Sequence, residues 1–364
     1  MGIQKLILNF VLTIEKFFLG LYKIKKNRIT FISLDSNELN MDFELLYNAL
    51  DKQKYDVKLC LIRYEKNLKG QFLYFLNCLK QMYFVYTSAL IILNNNNYVV
   101  SNYKRKGVKV LQIWHACGAI KKFGNAIDRQ YAISNYDYVL ATSSYWKKPY
   151  SEAFGVDEKE VYPLGMSRND ELFDEQLCVQ YKQQLLNKYP QLIGKKIILY
   201  APTFRGNIYK GFKSVEFDAV KLLDNLDDDY VLIYKFHPLL GDVKLANDSR
   251  IINMNSENTH QLFCLCDYMI SDYSSILFDY LILQKPYLFY VPDLQNYESD
   301  IGCFVDIPSL GLPIAYNMDD IIHIIKEQSF DYDRLNDCLD IFFDIKDNKS
   351  TSRIITFIDE KLDD

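Results

Sequence analysis

The chain has 364 residues, enough for two domains of ordinary size. Its composition, 49% hydrophobic and 24% charged, is globular, and a net charge of −5 argues against a protein held to nucleic acid by bulk attraction. The eight cysteines show neither a C-x-x-C pair nor zinc spacing, so they read as reduced thiols of a cytoplasmic protein.

Charge is unevenly spread. The first 106 residues hold sixteen Lys and Arg against eight Asp and Glu, a basic half suited to an anionic surface or substrate. That half opens with Ile3, Leu6, Ile7, Phe10, Val11, Ile14, Phe17, Phe18 and Leu21 at helical spacing, followed by Lys23, Lys25, Lys26 and Arg28. Lys5, Glu15 and Lys16 argue against a membrane span. Two readings stand: an amphipathic helix lying on a membrane surface with a basic collar, or a helix docked on the protein's own core. A second apolar helical stretch, 71–83, is interrupted by Asn77 and Lys80.

Beyond residue 28 strand-like and helix-like runs alternate. Strands are expected at 28–34, 57–63, 89–93, 109–114, 138–142, 196–200, 230–236, 268–270 and 287–290. Helices are expected at 216–226, 259–264, 274–283, 319–328, 333–343 and 350–362. Such alternation makes βαβ units and parallel sheets. The expected architecture is α/β and GT-B-like, two Rossmann-like domains facing across a cleft, joined by the polar segment near 169–191. The boundaries are 1–27 for a membrane-associating amphipathic helix, 28–170 for an acceptor-side domain, and 171–364 for a donor-binding domain with closing helices.

Neither Gly-x-Gly-x-x-Gly nor a P-loop lysine motif occurs, which argues against a dinucleotide dehydrogenase and a nucleotide kinase. The acidic run Asp227-Asp228-Asp229 reads as a solvated turn, so a mechanism without metal or other cofactor is expected. Of four histidines, His115 and His237 end strand-like runs, where open α/β sheets carry their chemistry. His260 and His323 fall on helical faces and read as structural. Ser274-Ser275 opens a helical pattern whose N–H groups and hydroxyls suit an anion. A proton-exchanging imidazole and a phosphate cradle together suggest transfer chemistry on a phosphorylated donor; the plainer reading is that each histidine caps a packed strand.

The segments Trp114-His115-Ala116-Cys117-Gly118 with Lys121, Met166-Ser167-Arg168-Asn169-Asp170, Tyr200-Ala201-Pro202-Thr203-Phe204-Arg205, His237-Pro238 and Ser271-Asp272-Tyr273-Ser274-Ser275 with Asp279-Tyr280 occur in one order. In that order they resemble the CDP-glycerol glycerophosphotransferase family, the teichoic-acid polyol-phosphate transferases, over about Leu90 to Pro292, and the short primase-like members in particular. The resemblance implies a CDP-glycerol or CDP-ribitol donor, CMP as leaving group, and a lipid-linked glycan or polymer acceptor at the cytoplasmic face of the cell membrane. It implies His115 and His237 as the catalytic pair, with His115 as base toward the acceptor and His237 at the transferred phosphate. Trp114, Gly118, Lys121, Arg168, Pro202, Thr203, Pro238, Ser274, Ser275 and Asp279 would line the donor. Arg205 is added on its charge alone, as a spare cation at the donor rim or a surface salt bridge. Ala116 and Met166-Ser167 depart from the family's common pattern, which bears on the polyol and acceptor rather than the reaction. Two other functions fit the same features: a GT-B glycosyltransferase using a nucleotide sugar, and a catalytically idle membrane scaffold.

Overall fold

The computed structural model describes residues 3–203, 205–207, 211–213, 215–236 and 244–363. His237 and Pro238 therefore lie outside the described residues, as does Phe204. The chain divides into two compact units. The first holds the residues up to Cys117, Phe123–Asp170 and the segment from Lys349 onward; the second holds Gly118–Lys122 and Glu171–Asn348.

In the first unit the elements run α1 (Ile3–Leu19), β1 (Lys25–Ser33), α2 (Met41–Ala49), β2 (Asp56–Leu61), α3 (Leu68–Thr87), β3 (Ser88–Leu93), α4 (Tyr98–Tyr103), β4 (Lys109–Gln112), β5 (Tyr138–Leu140), α5 (Lys147–Phe154) and β6 (Val161–Tyr162). The six strands pair in parallel in the order β2-β1-β3-β4-β5-β6. Alternate residues of β1, β3 and β4, among them Phe31, Ile92 and Leu111, point to one face, as the two-residue period of a strand requires. They pack there with Phe43 and Leu46 of α2.

The second unit runs α6 (Glu175–Lys188), β7 (Lys196–Tyr200), β8 (Arg205–Asn207), β9 (Gly211–Lys213), α7 (Ala219–Asp224), β10 (Tyr230–Tyr234), β11 (Ile251–Asn253), α8 (Thr259–Leu265), β12 (Tyr268–Ser271), α9 (Ile276–Leu281), β13 (Tyr287–Tyr290), α10 (Leu294–Ile301), β14 (Ile314–Ala315), α11 (Met318–Lys326) and α12 (Tyr332–Phe342). Its parallel sheet has the order β11-β10-β7-β12-β13-β14, with β8 and β9 forming a separate antiparallel pair. Counting only the sheet's own strands, this is the 3-2-1-4-5-6 order of a dinucleotide-binding fold, whose strand order reverses between β7 and β12. In the first unit the reversal falls between β1 and β3. Ligands of open α/β sheets bind at the carboxyl ends of strands beside such a reversal.

The structure departs from the linear boundaries in three places. The segment expected as a separate helix, 1–27, belongs to the first unit. Gly118–Lys122 joins the second unit, where Lys122 N–H donates to the Gly302 carbonyl (3.0 Å) and Phe304 N–H to that of Ile120 (2.8 Å). The last helix, α13 (Ser350–Asp363), returns to the first unit because Ile354, Phe357 and Ile358 fill its core and Asp170 accepts from the N–H groups of Ser350 and Thr351. The polar segment expected as a linker is largely the helix α6, begun by an Asp174 cap on Leu177 N–H (3.0 Å) and burying only Leu185. Asn77 does not interrupt α3: its amide donates to Cys60 Sγ and accepts from Gln81, which in turn accepts from Asn97 (2.9 Å). A polar group satisfied in this way is compatible with a buried helix face.

α1 docks on the first unit by one face. Leu12 and Leu19 are buried, and polar contacts hold the helix in place: Gln4 with Gln71 (3.2 Å), Asn9 with Tyr98 and Tyr103, and Lys5 with the Gln130 carbonyl (3.0 Å). The opposite face is open, with Phe17 74% and Leu21 79% exposed, and Leu68 (84%) and Phe72 (61%) of α3 add to the exposed apolar surface. Lys23, Lys25 and Lys26 are exposed, whereas Arg28 is buried against Asp56 (2.8 Å) and leaves the basic collar. No described helix is long and apolar enough to cross a membrane.

On α1, Glu15 has a buried carboxylate oxygen without a donor among the described residues, and burial pushes its pKa up from 4.5 to about 7. The unfolded chain thus loses this proton at a lower pH than the folded one, so the group costs stability progressively as pH rises from about 4.5 through 7. Glu15→Gln is expected to stabilise the protein at pH 8 by about 1–2 kcal/mol after discounting for partial exposure, and to leave it unchanged at pH 4. Urea unfolding at the two pH values measures this.

Candidate functional site

In the first unit the chemistry collects at the carboxyl ends of β3 and β4, beside the reversal of strand order. Gln112, the last residue of β4, is fully buried. It accepts from Trp114 N–H (2.8 Å) and donates to the Asn95 carbonyl (3.0 Å). This fixes a sharp turn in which Trp114 adopts φ +57°, a left-handed conformation that costs a bulky residue about 1–3 kcal/mol. The turn stacks the indole on Phe123 (centroids 4.6 Å apart, 15° between planes) and against His115 (3.9 Å).

Beyond the turn, His115 Nδ1 lies 3.0 Å from the Asn94 carbonyl oxygen. A carbonyl only accepts, so the neutral ring carries its proton on Nδ1 and presents a bare Nε2 lone pair. Desolvation by the protein packed around the ring pushes the imidazole pKa below its ordinary 6.5, with the Asn94 carbonyl pulling the other way. The side chain is nonetheless open to solvent. The ring is therefore neutral and accessible at pH 7, the state a general base needs.

Arg168 is committed elsewhere. Its backbone N–H donates to Asp42 Oδ1 (2.9 Å) and its Nε to Oδ2 (2.7 Å), with both side chains largely buried. Cys117 is a packed neighbour, its thiol donating to Asn169 Oδ1 (3.1 Å). Among the described residues, the amide oxygens of Asn94, Asn95 and Asn96 are buried without a donor.

In the second unit the reversal point lies between the ends of β7 and β12. Asp272, only 2% exposed, follows β12. Its Oδ1 accepts from both the N–H (2.8 Å) and the hydroxyl (2.6 Å) of Thr203, and its Oδ2 from Arg205 (2.8 Å). Arg205 also donates twice to Asp293 (2.7 and 3.1 Å) and once to the Thr203 carbonyl (2.9 Å). Burial works against its charge, but the hydrogen bonds it donates to Asp293 and the field of Asp272 outweigh it and hold the guanidinium pKa above its usual value. Arg205 is thus neither a spare cation nor a surface salt bridge: two carboxylates consume it inside the protein.

The guanidinium also lies 4.9 and 5.1 Å from the rings of Tyr273 and Tyr297, which stack with centroids 3.6 Å apart. Lys121 comes within 5.9 Å of the Tyr297 ring; burial lowers its pKa, and Asp272 opposes that. No ion pair to Lys121 is found among the described residues. Pro202 and Gly118 are buried. Ser274 and Ser275 are half-exposed at the start of α9, and Ser275 makes no side-chain cap bond. One turn on, Asp279 is buried 3.8 Å from His260 Nε2, while His260 Nδ1 lies 3.2 Å from Glu171.

The sequence reading named residues at both reversal points but gave no role to Asp272 or Asp293 and overlooked Asp42 and the Asn94–Asn97 run. The four consecutive asparagines after a fully buried strand were the one local signal.

Arg168→Ala strands the buried Asp42 carboxylate. It is expected to destabilise the protein by about 3–5 kcal/mol, with Asp42→Asn in the same background restoring part of the loss. Denaturant titration of the three variants measures this.

The family described as CDP-glycerol:poly(glycerophosphate) glycerophosphotransferase matches residues 14–360. A teichoic acid poly(ribitol-phosphate) polymerase of Bacillus spizizenii is 31% identical over 92% of the chain, which spans 56% of that protein. A teichoic acid ribitol-phosphate primase of the same organism is 29% identical over 95% of the chain and 94% of its own length. The solved structure of the wall teichoic acid polymerase TagF superposes with a TM-score of 0.74 at 20% identity, covering 99% of this chain and 95% of that one, a likeness of fold. The GT-B-like α/β class read from the sequence is therefore found in the structure.

Proposed function

Because the chain belongs to the CDP-glycerol:poly(glycerophosphate) glycerophosphotransferase family, we propose that it transfers a polyol phosphate from CDP-glycerol or CDP-ribitol to a hydroxyl of a membrane-bound acceptor in teichoic acid or capsule synthesis, releasing CMP. The observation that carries the reading is His115, a neutral, solvent-reached imidazole with Nε2 free at the carboxyl end of a parallel sheet. In this reading Nε2 takes the acceptor's hydroxyl proton as the oxygen attacks the polyol-bearing phosphorus. The bond from that phosphorus to the bridging oxygen breaks, and CMP leaves with the electron pair.

The donor belongs to the β7/β12 reversal. With Arg205 and Arg168 both held by carboxylates, Lys121 is the cation that meets the pyrophosphate, and the half-exposed Ser274 and Ser275 hydroxyls donate beside it. Asp279 suits the polyol hydroxyls, and His237 is assigned to the transferred phosphate on the family's motif alone. The donor-less oxygens of Asn94–Asn96 suit a hydroxyl-rich acceptor.

Incubation with membranes and a panel of CDP-glycerol, CDP-ribitol and nucleotide sugars tests the reading. CMP release from a CDP-polyol is expected. His115→Ala should lower turnover by about 10²–10⁴-fold at unchanged donor affinity. In the wild type the acid limb of the pH profile should fall below 6.5, because a depressed pKa keeps the base neutral to lower pH. UDP release from a nucleotide sugar, or full activity of a folded His115→Ala protein, contradicts the assignment.

The same reading puts the chain on the cytoplasmic face of the membrane as a peripheral protein, with the open faces of α1 and α3 in the lipid and the adjoining lysines on anionic headgroups. Removing α1 outright would also strip Leu12 and Leu19 from their packing, so point changes are the cleaner test. Phe17→Ser with Leu21→Ser should weaken flotation on anionic liposomes at least tenfold while leaving the fold intact, since each large apolar side chain contributes about 1.5–3 kcal/mol on burial. Equal flotation of variant and wild type contradicts the attachment.

A further inference from the structure

A cavity of about 520 Å³ opens between α1 and α3 in the first unit. One wall is the stripe Leu68, Gln71, Phe72 and Phe75 of α3, spaced by three, four and seven residues so that all share one helix face. Leu8 and Lys5 of α1 form the opposite wall. Two edge-to-face tyrosine pairs, Tyr64 with Tyr74 (5.2 Å) and Tyr98 with Tyr131 (5.1 Å), contribute to the lining.

The lining contains one cation and no carboxylate. Lys5 donates to the neutral Gln130 carbonyl (3.0 Å) and lies 5.6 Å from the Tyr98 ring, so its charge is not cancelled. Ile7, Leu68 and Phe72 belong both to the lining and to the exposed apolar surface, so the cavity opens onto that surface. The volume falls in the range of pockets that enclose a small molecule.

An apolar trough with aromatic walls, one uncancelled cation and a mouth on an apolar face matches one chemistry. We propose that this cavity binds a membrane lipid carrying a phosphate, with the hydrocarbon chain against Phe72, Phe75 and Leu8 and the phosphate at Lys5. Taken with the function proposed above, on which this point rests, the occupant is the lipid end of the acceptor. The cavity then holds the acceptor by its lipid, while His115 handles its hydroxyl.

Dodecyl phosphate below its micellar concentration is the probe, titrated calorimetrically into the full chain, with dodecanol and inorganic phosphate as controls. Saturable one-to-one binding of dodecyl phosphate is expected, at least tenfold tighter than dodecanol, with no measurable binding of inorganic phosphate. Lys5→Gln should erase the tenfold preference. Gln71→Trp, which fills the trough, should remove saturable binding of both chains.

Equal affinity of dodecyl phosphate for wild type and Lys5→Gln overturns the proposal, as does inorganic phosphate binding as tightly as the lipid. Should Gln71→Trp fail to fold, Lys5→Gln alone still decides, because it alters a half-exposed side chain. Turnover is not read, so failure of the CMP assay and failure of this binding test are distinguishable.

Discussion

Asp272 is a carboxylate almost without access to water at the point where the second sheet reverses its strand order, and much around it follows from the need to satisfy that charge. An unpaired buried carboxylate costs several kcal/mol, so the loop after β7 folds back to supply three donors, the Thr203 N–H and hydroxyl and Arg205. Arg205 has further N–H donors to satisfy, and Asp293 just beyond β13 accepts from two of them. Three strand ends are tied together in this way, which keeps the rim of the reversal point rigid. The cost is a cation: an arginine that composition alone would offer to a phosphate is already neutralised.

The first unit uses the same economy. Asp42 holds Arg168 as Asp272 holds Arg205, so neither arginine carries a free charge. Among the described residues at the two reversal points, a neutral imidazole in the first unit and the half-buried Lys121 in the second remain available. Gln112 and the strained Trp114 make the imidazole usable: they lock the turn that brings His115 Nδ1 to the Asn94 carbonyl and fix the tautomer. Strain at one bulky residue is tolerable where hydrogen bonds and ring stacking over-determine the turn.

The sequence made the architecture legible because buried parallel strands such as 196–200 and 287–290 are short apolar runs bounded by turns, and their alternation with helical periods leaves few topologies. The ordered motifs fell at strand ends for the same reason. Two-residue edge strands at Val161–Tyr162 and Ile314–Ala315 were too short to carry a period. α6 buries one leucine and so had no apolar stripe to read. The return of α13 to the first unit is a long-range packing decision that no local pattern encodes. The arginine pairings were hidden likewise, because Arg168 and Asp42 are 126 residues apart and Arg205 and Asp293 are 88 apart.

A crystal structure of the chain soaked with CDP-ribitol tests the account most directly. The pyrophosphate is expected at the β7/β12 reversal, within hydrogen-bonding reach of Lys121 Nζ and the Ser274 and Ser275 hydroxyls, with Arg205 still bound to Asp272 and Asp293. A donor bound through Arg205 turned away from its carboxylates, or seated on Arg168 in the first unit, would contradict it.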